Sequence, residues 1–417
     1  MKKSLKTFNL GIAIEKLLIF FYCSLMILPY YSKNMNLGIV IILCAFLCAF
    51  AIGRNIPDVN VSVLLLLVLS LYMAVSYYRA SDTTKIGNLF ANILFYFPMI
   101  VFVQRTNDNS LDFLWKWFII LQSYVAIVNI KALIEDPNVQ KYVTGGVTYD
   151  KYKLTNIGTI GTVFASVILI IMACYILKNF QNIFYKILAI AAIVINSVYV
   201  ITAGSFINLI ALCIGIIAFF YYVQLKSVKS KLLAIFLGFM LLVLFILFID
   251  YIGDLVSNIS GINQFYQTRL KDLFSYSSGG GGETLSGRID RYILSVKTFC
   301  RVPIFGVGMV YDAEYTRVGM HSEVFDFAAR YGIVGIVFLV LLLKEFFANQ
   351  KNQMFFGETG SIKQYMPIFI CIIVYGIFNP LIGTTSGMAI FLVIPSLLFN
   401  IERIKKETKN NMLKEDL

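Results

Sequence analysis

The chain reads as an all-α protein, a polytopic integral membrane helical bundle, and three observations carry that reading. Hydrophobic residues make up 59% of the 417 positions and charged residues only 14%, with a mean hydropathy of +0.79. A soluble domain of this length has about a quarter of its residues charged. Apolar runs long enough to cross a hydrocarbon core of about 30 Å as helices recur along most of the sequence. The polar residues gather between these runs and in one long segment near residue 285, so the bundle carries its chemistry outside the bilayer.

The runs predict about twelve transmembrane helices, at 11–31, 37–53, 60–78, 86–103, 112–134, 154–177, 184–202, 205–223, 232–252, 327–347, 365–382 and 387–401. The first follows a basic start, MKKSLK, and runs to full spanning length without a small-residue cleavage site, so it reads as a retained helix rather than a signal peptide. The short segments RNIP, QRTND, KNFQNIFYK, QLKSVKSK and the tail ERIKKETKNNMLKEDL carry the positive charge. The alternate segments, such as AGS and IGTTSG, are poor in it. That asymmetry places both termini in the cytoplasm of a multi-pass protein. No soluble domain or short-period repeat interrupts the plan, so residues 1–417 read as one integral membrane domain. Within it, 253–326 forms a large extracytoplasmic loop carrying short helices.

The net charge of +12 points away from nucleic acid, because the Lys and Arg are scattered between spans rather than gathered in a soluble basic patch. Of seven cysteines, Cys23, Cys44, Cys48, Cys174, Cys213 and Cys371 lie inside apolar runs and read as small hydrophobes. Cys300 stands alone in the loop, and no disulfide or zinc framework follows.

The stretch SSGGGGET in the long loop lacks the Lys-Ser/Thr of a phosphate loop and reads as a linker. After it, Ile289, Ile293, Val296 and Cys300 recur at helical spacing. Arg288, Arg291 and Ser295 fall on a neighbouring stripe. A helix lying at the membrane surface follows, apolar side down and guanidinium side toward the loop, and Pro303 ends it. Gly306 and Gly308 then permit a tight backbone path. His321, the one histidine of the chain, precedes the next span together with Ser322, Glu323 and Asp326.

These residues, in order, resemble the O-antigen/capsular polysaccharide polymerase (Wzy) and O-antigen ligase superfamily. The resemblance rests on Ser286-Gly287-Arg288, Tyr292, Pro303-Ile304-Phe305-Gly306-Val307-Gly308, His321-Ser322 and Gly332-Ile333-Val334-Gly335. The plan of spans with one large late loop is also similar. A departure occurs at Thr202-Ala203-Gly204-Ser205-Phe206, where Phe206 stands in the place of a common arginine; Arg79, Arg269, Arg291 or Arg317 can take over its part.

The resemblance implies a glycosyltransferase of the bacterial plasma membrane. Its donor would be an oligosaccharide on a polyprenyl diphosphate such as undecaprenyl diphosphate, and its partner proteins a flippase and a chain-length regulator. Under it the catalytic candidates are His321, as base or as a hydrogen-bond partner of the diphosphate, Arg288 on the leaving diphosphate, and Glu323, which with Asp326 is a candidate to orient the imidazole. Arg291, Arg317, Arg79, Arg269, Tyr292 and Asp326 are the substrate-binding candidates. Such a site suits the chemistry, because forked guanidinium groups hold phosphate oxygens in pairs and an imidazole titrates near neutrality.

No Asp-x-Asp stands in the first outer loop, so no metal or cofactor is expected. Transfer of finished polymer to a lipid or wall acceptor, as by a ligase, is the nearest alternative. A lipid-linked oligosaccharide flippase or transporter would instead require ionisable residues at mid-span, and the span centres are almost free of them.

Overall fold

The computed structural model describes residues 61–79, 108–136, 139–140, 155–180, 182–225, 227–233, 283–308, 318, 322–354 and 366–379, with single positions between 16 and 30 and between 236 and 240. The described elements are helical: α1 Val61–Arg79, α2 Asp108–Glu135, α3 Ile160–Asn179, α4 Ile183–Thr202, α5 Phe206–Phe219, α6 Glu283–Arg301, α7 Glu323–Met354 and α8 Met366–Phe378. A single π turn, Phe220–Gln224, closes α5. Helices in α2, α3, α4, α5 with its π turn, and α7 are long and apolar enough to cross a membrane, which makes this a multi-pass membrane protein. The spans expected at 11–31, 37–53, 86–103, 232–252 and 387–401 lie wholly or mostly outside the described residues.

The core forms around α3. Its side chains are predominantly apolar all round, a pattern that suits the centre of a bundle as well as a lipid-facing span. Val163, Phe164, Val167, Ile168, Leu169, Met172 and Ile176 are buried. Helices α2, α4, α5 and α8 pack against it. Helix α4 differs: Ile183, Ile187, Ile190, Val194 and Val198 form an exposed apolar stripe at helical spacing, the pattern of a helix turning one face to lipid. Cys371 behaves as the small hydrophobe its context suggests, with its thiol 3.1 Å from the Ala211 carbonyl on α5.

Where apolar burial cannot discriminate among greasy neighbours, interhelical hydrogen bonds fix the register. Gln122 on α2 donates to the Thr162 carbonyl and to Ser166 Oγ on α3, at 3.0 and 2.9 Å. Asn196 on α4 donates to Ser123 Oγ at 3.1 Å. The Tyr199 hydroxyl is 2.8 Å from that of Thr162 and accepts from Gln140 at 2.7 Å. The span read as beginning at 154 starts instead at Ile160, because the preceding residues are held in a non-helical path. Asn129 Oδ1 accepts from the Gly158 amide at 2.9 Å, and its Nδ2 donates to the Asn156 carbonyl at 3.2 Å.

The span read as an unbroken helix from 327 to 347 also differs. Helix α7 begins at Glu323 and is broken at Gly332, whose torsions (φ 61°, ψ −165°) are open to glycine alone. In an intact helix the amides of Ile333 and Val334 would bond the carbonyls of Ala329 and Arg330. Here Ile333 and Val334 donate to the carbonyls of Pro303 and Ile304, at 2.8 and 3.1 Å. The vacated carbonyls of Ala329 and Arg330 accept from Val307 and Gly308, at 3.0 and 2.8 Å. The segment after α6 is thus threaded into the ladder of α7 and replaces the rungs it displaces. Tyr72 of α1 completes the repair, its hydroxyl 2.9 Å from both the Tyr331 and the Phe305 carbonyls.

This junction requires glycine on both sides of the crossing. A Cβ on Gly306, whose φ is +65°, would strike the backbone of Arg330 and Tyr331, and one on Gly332 would strike the Ile304 carbonyl. Either Gly306→Ala or Gly332→Ala is therefore expected to destabilise the protein by about 1–3 kcal/mol or more. The measurement is thermal unfolding of the detergent-solubilised protein followed by fluorescence-detected size exclusion. A melting curve unchanged from wild type for Gly332→Ala would contradict the junction.

Candidate active site at the start of α7

The start of α7 is built from a short polar sequence. Ser322 is the residue before the first helical turn, and its Oγ accepts from the Phe325 amide at 3.3 Å, satisfying one of the donors every helix start leaves open. Asp326 answers from the next turn: its Oδ2 accepts from the Ser322 amide at 2.8 Å. The reciprocal arrangement is that of a capping box with its acid one position later. Negative charge is favoured there by the helix dipole, which helps a carboxylate only 4% exposed remain in place.

Two other helices close on this turn. From α6, the fully buried Ser295 donates its hydroxyl to Asp326 Oδ1 at 2.6 Å. Below it the Tyr292 ring packs at 5.3 Å on that of Phe325. From α8, the Gly376 carbonyl accepts from Ser322 Oγ at 3.4 Å, and the Asn379 carbonyl from the Glu323 amide at 3.3 Å. Tyr375, one residue before Gly376, stacks on Phe164 near the start of α3 at 3.9 Å. Thr162 on the same turn of α3 meets Tyr199 near the end of α4. The start of α7, the end of α8, the start of α3 and the end of α4 therefore share one end of the bundle.

The residues singled out from sequence distribute around this end as follows. Asp326 is at the centre, with each carboxylate oxygen accepting from the protein. Glu323 is the first residue of α7 and stands next to the end of α8. Tyr292 lies on the α7-facing side of α6, where its ring serves helix packing. Arg291, one turn before Ser295, lines a cavity of about 300 Å³ with Asp290, Ile293, Leu294 and Lys297.

Arg288 lies on α6 about two turns before Ser295, and Arg79 is the last residue of α1; their side chains are outside the described residues. His321, Arg317 and Arg269 also lie outside them, although His321 is joined by one peptide bond to the capping Ser322. The apolar stripe expected along α6 is in register. Ile293 and Val296 are exposed on one side while Ser295 is buried on another, but the buried side meets α7.

The structural part of Ser295 was not legible in its spacing alone, which grouped it with the arginines. Its partner Asp326 is distant in sequence. The available signal was Ser322 followed by an acid within the next turn, a helix-start pattern that needs a nearby donor once buried.

With this geometry in view, residues 191–340 match the family model described as O-antigen ligase. The match encloses every motif from Ser286 to Gly335, so over this stretch the chain is similar to the O-antigen polymerase and ligase superfamily. No curated protein matches the chain.

If the Tyr292 ring is chiefly a packing element, Tyr292→Phe should leave the yield of folded protein unchanged. Tyr292→Ala should cost about 3–5 kcal/mol, the usual range for emptying a buried aromatic site, somewhat reduced by partial exposure. Size-exclusion profiles of the two variants from equal membranes would separate the cases, and an unaltered profile for the alanine variant would speak against packing.

Proposed function

We propose, taking residues 191–340 as a domain of the O-antigen polymerase and ligase superfamily, that this protein polymerises polyprenyl-diphosphate-linked oligosaccharide repeat units. The transfer takes place on the outer face of the bacterial plasma membrane, with both termini in the cytoplasm. The observation that carries this reading is the convergence on the start of α7. The cap that anchors the residue after His321 and the helix bearing Arg288 and Arg291 are tied to one carboxylate, inside the matched region.

In the proposed step the acceptor hydroxyl oxygen forms a bond to the anomeric carbon of the donor sugar. The bond from that carbon to the diphosphate breaks, and the polyprenyl diphosphate leaves with the electron pair. Arg288 and Arg291 grip the phosphate oxygens as negative charge gathers on them, a stabilisation that grows toward the transition state. The proton of the acceptor hydroxyl passes to His321. Glu323, two residues after His321 in sequence, orients the imidazole, and charge neutralisation by guanidinium groups gives the reaction no need of a metal. A ligase would perform the same bond exchange with a different acceptor.

His321→Ala and Arg288→Ala should each leave the protein inserted and folded while long polysaccharide disappears and single repeat units accumulate on lipid. A glycan ladder on a gel reads this directly, and normal chain length in both variants would remove the assigned site. Long polymer retained on its carrier in a deletion strain would identify a ligase instead. A topology reporter fused after Gly282 should read extracytoplasmic. Activity of the purified protein should survive a chelator, and loss restored by a divalent ion would count against the guanidinium-centred step.

A further inference from the structure

We infer that Ser295 and Asp326 are positioning residues of this transfer site, setting the separation between the arginine stripe of α6 and the imidazole that precedes α7; the inference rests on the function proposed above. A buried carboxylate is costly unless its lone pairs are used, and here each oxygen has a separate task. Oδ1 takes the hydroxyl proton of Ser295 on α6 at 2.6 Å, a length typical of charge-assisted bonds. Oδ2 takes the amide proton of Ser322 at 2.8 Å.

Arg291 lies one turn from Ser295 on the same helix, about 6 Å along the axis, and Arg288 about 10 Å. His321 lies one peptide, about 3.8 Å between Cα atoms, from Ser322. One carboxylate therefore links the amide of Ser322, the residue after His321, to the Ser295 side chain of the helix that carries Arg288 and Arg291, through two short hydrogen bonds. A helix cap alone would need only the Ser322 bond. The Ser295 bond adds nothing to the cap and does add a fixed distance between helices.

That distinction supplies the test. Ser295→Ala removes the bridge while leaving the cap intact. Per folded molecule it should lower kcat at least about tenfold, since displacements of an ångström cost up to about a hundredfold. KM for the lipid-linked donor should stay within about twofold, because the phosphate-gripping groups remain. Ser295→Thr, which keeps the hydroxyl, should recover most of the rate.

Asp326→Ala should lose at least as much, and Ser295→Ala added to it should cost little more, the non-additivity expected of two ends of one bond. Hydrogen exchange gives a readout apart from activity: the peptide containing Ser322 should stay protected in Ser295→Ala and lose protection in Asp326→Ala.

A wild-type kcat for Ser295→Ala, or a threonine variant as slow as the alanine one, would overturn the inference while leaving the proposed function standing. So would a rate loss fully accounted for by less folded protein. Full polymer length in His321→Ala would overturn the function first and this inference with it.

Discussion

The structure depends on one constraint, that backbone amides and carbonyls in an apolar surrounding must find partners inside the protein. A helix meets it without help. A helix broken by glycine does not, and the break at Gly332 is viable because the segment 303–308 supplies both donors and acceptors at the rungs it interrupts. The carbonyl of Tyr331 is reached by the hydroxyl of Tyr72 on α1. Three separate stretches of chain thereby become one joint, and the short piece of α7 before the break, Glu323–Tyr331, gains an orientation independent of the long piece after it.

That short piece is the one on which the candidate chemistry converges. Its first turn is held on three sides: by its own cap through Ser322, by α6 through Ser295, and by the end of α8 through the carbonyls of Gly376 and Asn379. Behind α8 stands α3, kept in register with α2 and α4 by amide and hydroxyl bonds near the same end of the bundle. Among the described residues, Thr162, Tyr199, Ser295, Ser322 and Asp326 gather toward one end of the bundle.

Much of this was legible in the sequence. Hydropathy located the helices at 61–79, 183–202 and 366–378 to within a few residues, because spanning length and apolar composition are local properties. The amphipathic stripe of α6 was readable for the same reason. The break in α7 was not, because Gly332 and Gly335 fit close helix packing as well as they fit an opening. Only the partner segment, far upstream, decides between them.

The later start of α3 escaped likewise, since it depends on Asn129 reaching across to Gly158 and Asn156. The site divided along the same line. The cluster of Ser322, Glu323 and Asp326 stood out as a charged start to an apolar helix, while the Ser295 contact that turns it into a junction between helices joins residues no local pattern connects.

The crossing near Gly332 and the cap at Ser322 together have a consequence for the chain that runs between them. Gly308 is fastened to Arg330 and Ser322 to Asp326; the two anchor points are one turn of the same helix apart, about 6 Å. Both ends of the connection between them are therefore set by the scaffold. Doubling the length of a connection whose ends are held together costs only about 0.6 kcal/mol in closure entropy, so the sequence between Gly308 and Ser322 can change in length while the helices keep their places.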